Sequence, residues 1–198
     1  MSRLFGIDDA LDSDAWYTPP WIFEGLGVVF DLDVASPSEP PEWLPARHRY
    51  TVAEDGLTEP WFGLVWCNPP YSAPTAWCRK WATHPDGFLL VRADLSTGGP
   101  FAALDAASSL YVPAKRIQFV NGHGAKTGAV NFSSVLMGRG PVADAAIERL
   151  AATKGGAARR LTFSNPNHTN QVVPFYRHPI GHIHHGTNEC VFGEDCFR

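Results

Sequence analysis

Phe62-Gly63-Leu64-Val65-Trp66-Cys67-Asn68-Pro69-Pro70-Tyr71 is the stretch from which the rest of the chain can be read. Its first six residues form an apolar run, rich in branched and aromatic side chains and flanked by turn formers, which predicts a buried strand. Two prolines then end the strand, because neither has an N–H to give to a neighbour and both fix φ near the turn value. The Asn68 side chain and the Asn68 and Pro69 carbonyls are therefore expected at the carboxyl end of a strand, the edge where open α/β sheets bind ligands. Asn-Pro is also a common turn dipeptide, and Pro-Pro-Tyr suits a peptide ligand, so the four residues alone leave both uses open.

The chemistry follows from atom types. An exocyclic amine on an aromatic ring is a poor nucleophile, because its lone pair is delocalised into the ring. An Asn side-chain oxygen and a proline carbonyl can each accept one of its two N–H bonds, drawing the nitrogen toward tetrahedral and localising the lone pair for attack. Tyr71 offers a flat face on which a base can stack, for a gain of about 1–3 kcal/mol.

The chain has 198 residues, enough for one domain or one domain with a tail. An apolar content of 44% with 18% charged residues predicts a soluble protein that folds on its own core. No apolar run reaches the length of a membrane span, and Met1-Ser2-Arg3-Leu4-Phe5 leads into acidic residues rather than a signal sequence. Cys67, Cys78, Cys190 and Cys196 show no CxxC spacing, so reduced thiols in a cytoplasm are expected. A net charge of -4 is not that of a nonspecific nucleic-acid binder, although a local basic patch on an acidic body still permits work on DNA.

From the N-terminus, residues 1–17 read as an acidic arm. Thr18 as N-cap and Pro19 at the first helical position predict a helix through Leu26. Gly27 to Asp33 is an apolar strand ending in acid, where Asp31 and Asp33 either serve a ligand or merely cap the turn. Residues 38–46 read as a Pro-rich loop and Tyr50-Thr51-Val52 as a short strand. Asp55 follows in a turn. After Tyr71, Thr75 to Ala82 predicts a helix, with Trp77 and Trp81 on one face toward the core, and with Arg79 and Lys80 solvated or meeting phosphate. Gly87 to Val91, Ser109 to Val112, Ile117 to Val120 and Val130 to Met137 read as strands, the last returning as a hairpin after a Gly-rich turn over 121–128. Phe101 to Ala107 and Asp144 to Ala152 read as helices. Lys154 to Arg160 reads as a flexible basic linker, dividing the chain into a domain over 1–153 and a tail over 154–198. The tail holds His168, His178, His182, His184 and His185 near Cys190 and Cys196, in a spacing that matches no zinc pattern, so no metal site is assigned.

The order Thr-Pro (18–19), Phe-Asp-Leu-Asp-Val-Ala-Ser (30–36), Glu-Asp-Gly-Leu (54–57) and Trp-Cys-Asn-Pro-Pro-Tyr (66–71) resembles the phage-type DNA N6-adenine methyltransferases, the phage Dam family. The resemblance covers residues 16–137 and leaves out the tail. It implies a Rossmann-like S-adenosylmethionine-dependent methyltransferase fold, a mixed, mostly parallel sheet closed by an antiparallel C-terminal hairpin strand. It implies transfer of a methyl group from S-adenosyl-L-methionine to a flipped-out adenine of double-stranded DNA, with Asn68, Pro69, Pro70 and Tyr71 catalytic. Thr18 and Pro19 are then at the methionine end of the cofactor. Asp33 then meets its α-ammonium, Ala35 and Ser36 line the cofactor beside it, Asp55 meets its adenine amine, and Leu57 packs on that ring. A monomer in the cytoplasm, of the host if the chain is phage-encoded, is the expected state. The glycine-rich cofactor loop is absent, and the acid that grips the cofactor ribose has no evident counterpart. A methyltransferase acting on RNA or protein glutamine, and a silent DNA-binding relative, stand as alternatives.

Overall fold

The computed structural model describes residues 17–120 and 132–162. Among them are four helices, α1 (Pro20–Leu26), α2 (Thr75–Thr83), α3 (Gly98–Ala106) and α4 (Pro141–Lys154). Seven strands, β1 (Phe30–Asp33), β2 (Ala46–Arg49), β3 (Val65–Cys67), β4 (Gly87–Arg92), β5 (Ser109–Val112), β6 (Ser134–Arg139) and β7 (Ala157–Arg160), form one sheet in the order β2-β1-β3-β4-β6-β5-β7. β2, β1, β3 and β4 run parallel. β6 lies antiparallel between β4 and β5, and β7 pairs antiparallel on the outer edge of β5.

Alternation along the strands divides the apolar residues between two cores. Trp66, Phe88, Leu90 and Leu136 face α1 and α4, where they join Ile22, Leu26, Ile147 and Leu150. Val65, Cys67, Leu89, Val91, Val135 and Met137 face α2 and α3, with Cys78, Trp81 and Ala103. In β1 the alternation slips: the N–H groups of both Asp31 and Leu32 point at the Leu64 carbonyl, and Phe30 and Leu32 enter opposite cores. The result is a helix–sheet–helix sandwich, the expected α/β class.

Several elements differ from expectation. The first helix begins at Pro20, with Pro19 extended as its N-cap and no side-chain cap. A residue before proline is pushed out of the helical region, so the Pro19-Pro20 pair moves the start by one position and leaves Thr18 outside the helix. Gly27 closes α1 in the left-handed conformation at φ 59°, which keeps β1 to four residues. The second strand is Ala46–Arg49 rather than Tyr50 to Val52. Ile117 and Phe119 are buried but form no strand; only Val120 pairs, in a single bridge with Tyr17. The expected linker is instead partly strand: Ala157–Arg160 is β7, tied down by Arg160 to Asp144 at 3.1 Å and to Glu148 at 2.7 Å. With β7 added, the six pairings divide evenly between parallel and antiparallel, so the sheet is mixed rather than mostly parallel. The turn over 121–128 and the His/Cys tail lie outside the described residues. No helix among the described residues is long and apolar enough to cross a membrane.

Candidate active site

The chain runs from β1 outward to its neighbour β2 and then crosses back to β3 on the other side of β1. This reversal leaves a crevice at the carboxyl ends of β1 and β3, the place where an open α/β sheet binds a ligand. A cavity of about 780 Å³ lies there. Asp33, Ala35 and Ser36 from the β1 end, Asn68, Pro69, Pro70 and Tyr71 from the β3 end, Thr18, and Asp55 all line it. That volume falls in the range of roughly 300–1,000 Å³ usual for small-molecule and cofactor sites.

Asp33 is the last residue of β1 and is 2% exposed. Burial pushes its carboxyl up to about 6, although the Ser36 hydroxyl, the Ala35 N–H and the Arg49 charge all favour ionisation. The Ala35 N–H donates to Asp33 Oδ1 at 3.3 Å. Asp31, by contrast, is spent on structure. Its carboxylate accepts the Leu64 N–H at 2.9 Å and pairs with Arg47 at 2.6 Å, and these contacts hold it below the ordinary carboxylate value.

Thr18, freed from capping, has a buried Oγ1 with no hydrogen-bond partner among the described residues, and it lines the cavity. A buried hydroxyl left in this way marks a place where a polar ligand atom can complete the structure. Pro19 is buried behind it and does not reach the cavity.

Asn68 follows β3 directly, and the Pro70 carbonyl accepts the Ala73 N–H at 3.2 Å in the turn that precedes α2. Tyr71 meets Phe119 and Phe132 edge to face, with centroids 5.8 and 5.2 Å away, and Arg92 lies 4.9 Å over the Phe132 ring. Burial raises the Tyr71 phenol well above its ordinary value. Tyr71 also lines a smaller cavity of about 180 Å³ with Arg92, Asp94 and Thr97. Cys67 and Cys78 are fully buried thiols, raised by burial (Cys78 to about 11), and act as core packing beside the site.

The loop between β2 and β3 forms a further wall. Asp55 sits there at φ 56°, and its Oδ1 accepts the Leu57 N–H at 3.1 Å. Leu57 itself does not line the cavity; Gly56 and Trp77 do. Lys80 is neither free nor placed for phosphate, because its Nζ donates to the carbonyls of Gly56, Leu57 and Glu59 at 3.0, 2.8 and 2.6 Å. Sequence reasoning missed Trp77, Glu39 and Tyr50 as wall residues. Trp77 carried a signal, since it occupies the half-buried flank of a helix whose Trp81 fills the core. Glu39 and Tyr50 carried none, because their approach depends on the path of two irregular loops.

An open α/β sheet with an Asn-Pro-Pro-Tyr turn lining a cavity at its switch point defines a methyltransferase-like protein. The family model described as DNA N-6-adenine-methyltransferase (Dam) matches residues 9–141, more than half of the chain. The chain belongs to that family of DNA adenine methyltransferases. Comparison with curated proteins and with solved structures gave no match.

Proposed function

We propose that the chain transfers a methyl group from S-adenosyl-L-methionine to N6 of an adenine flipped out of double-stranded DNA. One observation carries this reading: the buried Asp33 and the Asn68–Tyr71 turn share one cavity of about 780 Å³. The strand order supports a Rossmann-like methyltransferase fold, with parallel strands meeting at a switch point and an antiparallel strand inserted near the far edge.

The cavity fits the cofactor on the chemistry of its donors and acceptors. Asp33, held above its ordinary value by burial, gains a counter-charge from an α-ammonium. The unsatisfied Thr18 hydroxyl gains a partner at the methionine end. Asp55 accepts from the adenine amine, and Trp77 supplies the apolar face first expected of Leu57. Glu39 is the remaining carboxylate of the lining and suits the ribose hydroxyls. When bound, the cofactor supplies a methyl group activated by sulfonium.

The residues of the chain then position the nucleophile. The Asn68 side-chain oxygen and the Pro69 carbonyl accept the two N6 hydrogens, and Tyr71 stacks on the base. Orientation and proximity carry the direct in-line transfer: the N6–methyl bond would form as the carbon–sulfur bond breaks, the thioether would leave, and one N6 proton would pass to solvent, with no covalent enzyme intermediate. The adenine must leave its stack to reach a crevice at the sheet edge. Exposed Arg92 at the end of β4, with Lys115 and Arg116 just past β5, places positive charge along that edge for the DNA phosphates, despite the acidic whole.

The test is methyl transfer from labelled S-adenosylmethionine to unmethylated DNA, comparing wild type with Asn68→Ala. The expected result is label in N6-methyladenine, reduced in the variant by about a hundredfold or more with cofactor binding retained. Cofactor binding without DNA methylation would move the substrate to RNA or protein. No cofactor binding would make the chain a silent DNA-binding relative.

A further inference from the structure

We infer that Lys80 is the positioning residue of the cavity wall that carries Asp55, a staple from α2 that holds the irregular β2–β3 loop against the end of β1. The inference rests on the reading of that cavity as the cofactor site.

Residues 50–64 contain no helix or strand. A loop of this length inside a compact sheet needs side chains to satisfy and fix its backbone. Lys80 does so from the adjacent helix. Its ammonium has three hydrogens, and three loop carbonyls accept them, those of Gly56, Leu57 and Glu59, at 2.6–3.0 Å. The same ammonium lies 5.2 Å over the Trp61 ring. Trp61 in turn donates its Nε1–H to the Gly56 carbonyl at 2.7 Å and stacks on Trp77 at 6.4 Å.

The other side of Gly56 is closed by contact. A Cβ there would lie 1.9 Å from the Val34 carbonyl and 3.1 Å from the Trp77 ring. The Gly56 peptide is therefore caught between the end of β1, the Trp77 wall and the Lys80 ammonium. Asp55, one residue earlier, takes a left-handed φ of 56°, unusual for a residue with a side chain. Such a conformation persists only where its surroundings over-determine it. Burial lowers the Lys80 ammonium and the nearby Asp55 and Glu59 carboxylates raise it, as expected for a cation drawn into a loop.

Lys80→Met keeps the aliphatic stem and removes the three donors. The readouts are cofactor dissociation constant by calorimetry, KM and kcat for methyl transfer, DNA affinity against salt, and amide hydrogen exchange over 54–61. The expected result is a cofactor Kd and KM raised by about tenfold or more, kcat at saturating cofactor within about twofold, and faster exchange over 54–61. DNA affinity and its salt slope stay at the wild-type values. An unchanged cofactor Kd in a folded variant overturns the inference. So does a DNA affinity that falls with a salt slope reduced by about one, since that is the mark of a phosphate contact.

If Lys80→Met does not fold, Trp61→Phe decides. It removes one donor to the Gly56 carbonyl while leaving a smaller aromatic face beside Trp77 and the Lys80 ammonium, and it should raise the same KM by a smaller factor; no rise overturns the staple. A wild type that binds no cofactor overturns the functional reading instead, and hydrogen exchange over 54–61 in Lys80→Met then decides the staple by itself.

Discussion

Asp33→Asn is expected to stabilise the empty protein while weakening its hold on the cofactor. Asp33 is 2% exposed, and burial moves its carboxyl from an ordinary 3.8 up to about 6. The unfolded chain therefore gives up this proton near pH 4 and the folded chain near pH 6. Between those values the folded state loses stability as pH rises, and above them the deficit is constant. At about 1.4 kcal/mol for each tenfold change in the proton equilibrium, the deficit comes to about 3 kcal/mol. The amide keeps an acceptor for the Ala35 N–H and carries no charge, so it removes the deficit. In a domain of this size that corresponds to a rise in Tm on the order of 6–12 °C at pH 8, and to only about 1–2 °C at pH 4. Thermal unfolding of both proteins across that pH range measures it. Calorimetry supplies the other half: wild-type cofactor affinity climbs as pH rises through about 6, with proton release on binding, and the variant binds weakly at every pH. A variant less stable than wild type at pH 8 would refute the reasoning, because it would mean that Arg49 and the Ser36 hydroxyl already compensate the buried charge.

Gly56→Ala should cost about 1–3 kcal/mol in thermal unfolding, since its Cβ would collide with the Val34 backbone carbonyl and only a shift of the wall relieves it. Ala35→Val places two methyl groups in a half-buried cavity wall, so cofactor affinity should fall by about tenfold or more while Tm moves little, as calorimetry and unfolding together will show. Tyr71→Phe keeps the ring and should retain most methyl transfer, whereas Tyr71→Ala should lose about 1–3 kcal/mol of base stacking, read as reduced kcat/KM on DNA. Asp144→Ala strips the Ser108 hydroxyl and Arg160 of a buried acceptor; a loss of about 1–3 kcal/mol and faster amide exchange over 157–160 would confirm that β7 is an integral strand.

The parts of the fold legible in the sequence were those fixed by short-range physics. The β3 strand and its Pro-Pro stop, the β4 run and the α2 face are each set by periodicity within one element. The Asn68–Tyr71 turn and Asp33 were legible for the same reason, since a polar residue at the end of an apolar strand has one edge to occupy. What failed depended on neighbours distant in sequence. Ala157–Arg160, basic and glycine-flanked, looks like linker until Asp144 and Glu148 of α4 meet Arg160 and β5 offers an open edge. Ile117 to Val120 has strand composition, but no described strand pairs along it, so its apolar residues enter the core as an irregular segment. Leu57 was placed in the wall by the family resemblance, and the turn fixed by the Asp55 cap and Lys80 gives that wall to Gly56 and Trp77.

The missing glycine loop takes its meaning from the same geometry. Beyond β1 the backbone keeps pairing on both sides: Val34 N–H donates to the Trp66 carbonyl, Tyr50 N–H to the Asp33 carbonyl, and Ser36 N–H to the Tyr50 carbonyl. The Ala35 N–H is held by the Asp33 carboxylate. These amides are committed to the protein, so a ligand at the end of β1 does not meet them as free donors, and glycine at 34–36 would add no donor there. On the proposed reading, recognition falls to side chains instead, to Asp33, Thr18 and Asp55 around the cavity and to Trp77 across it. A site built this way depends on how firmly its irregular loop is held, and that assigns to Lys80 the fixing role that a glycine turn performs elsewhere through the main chain.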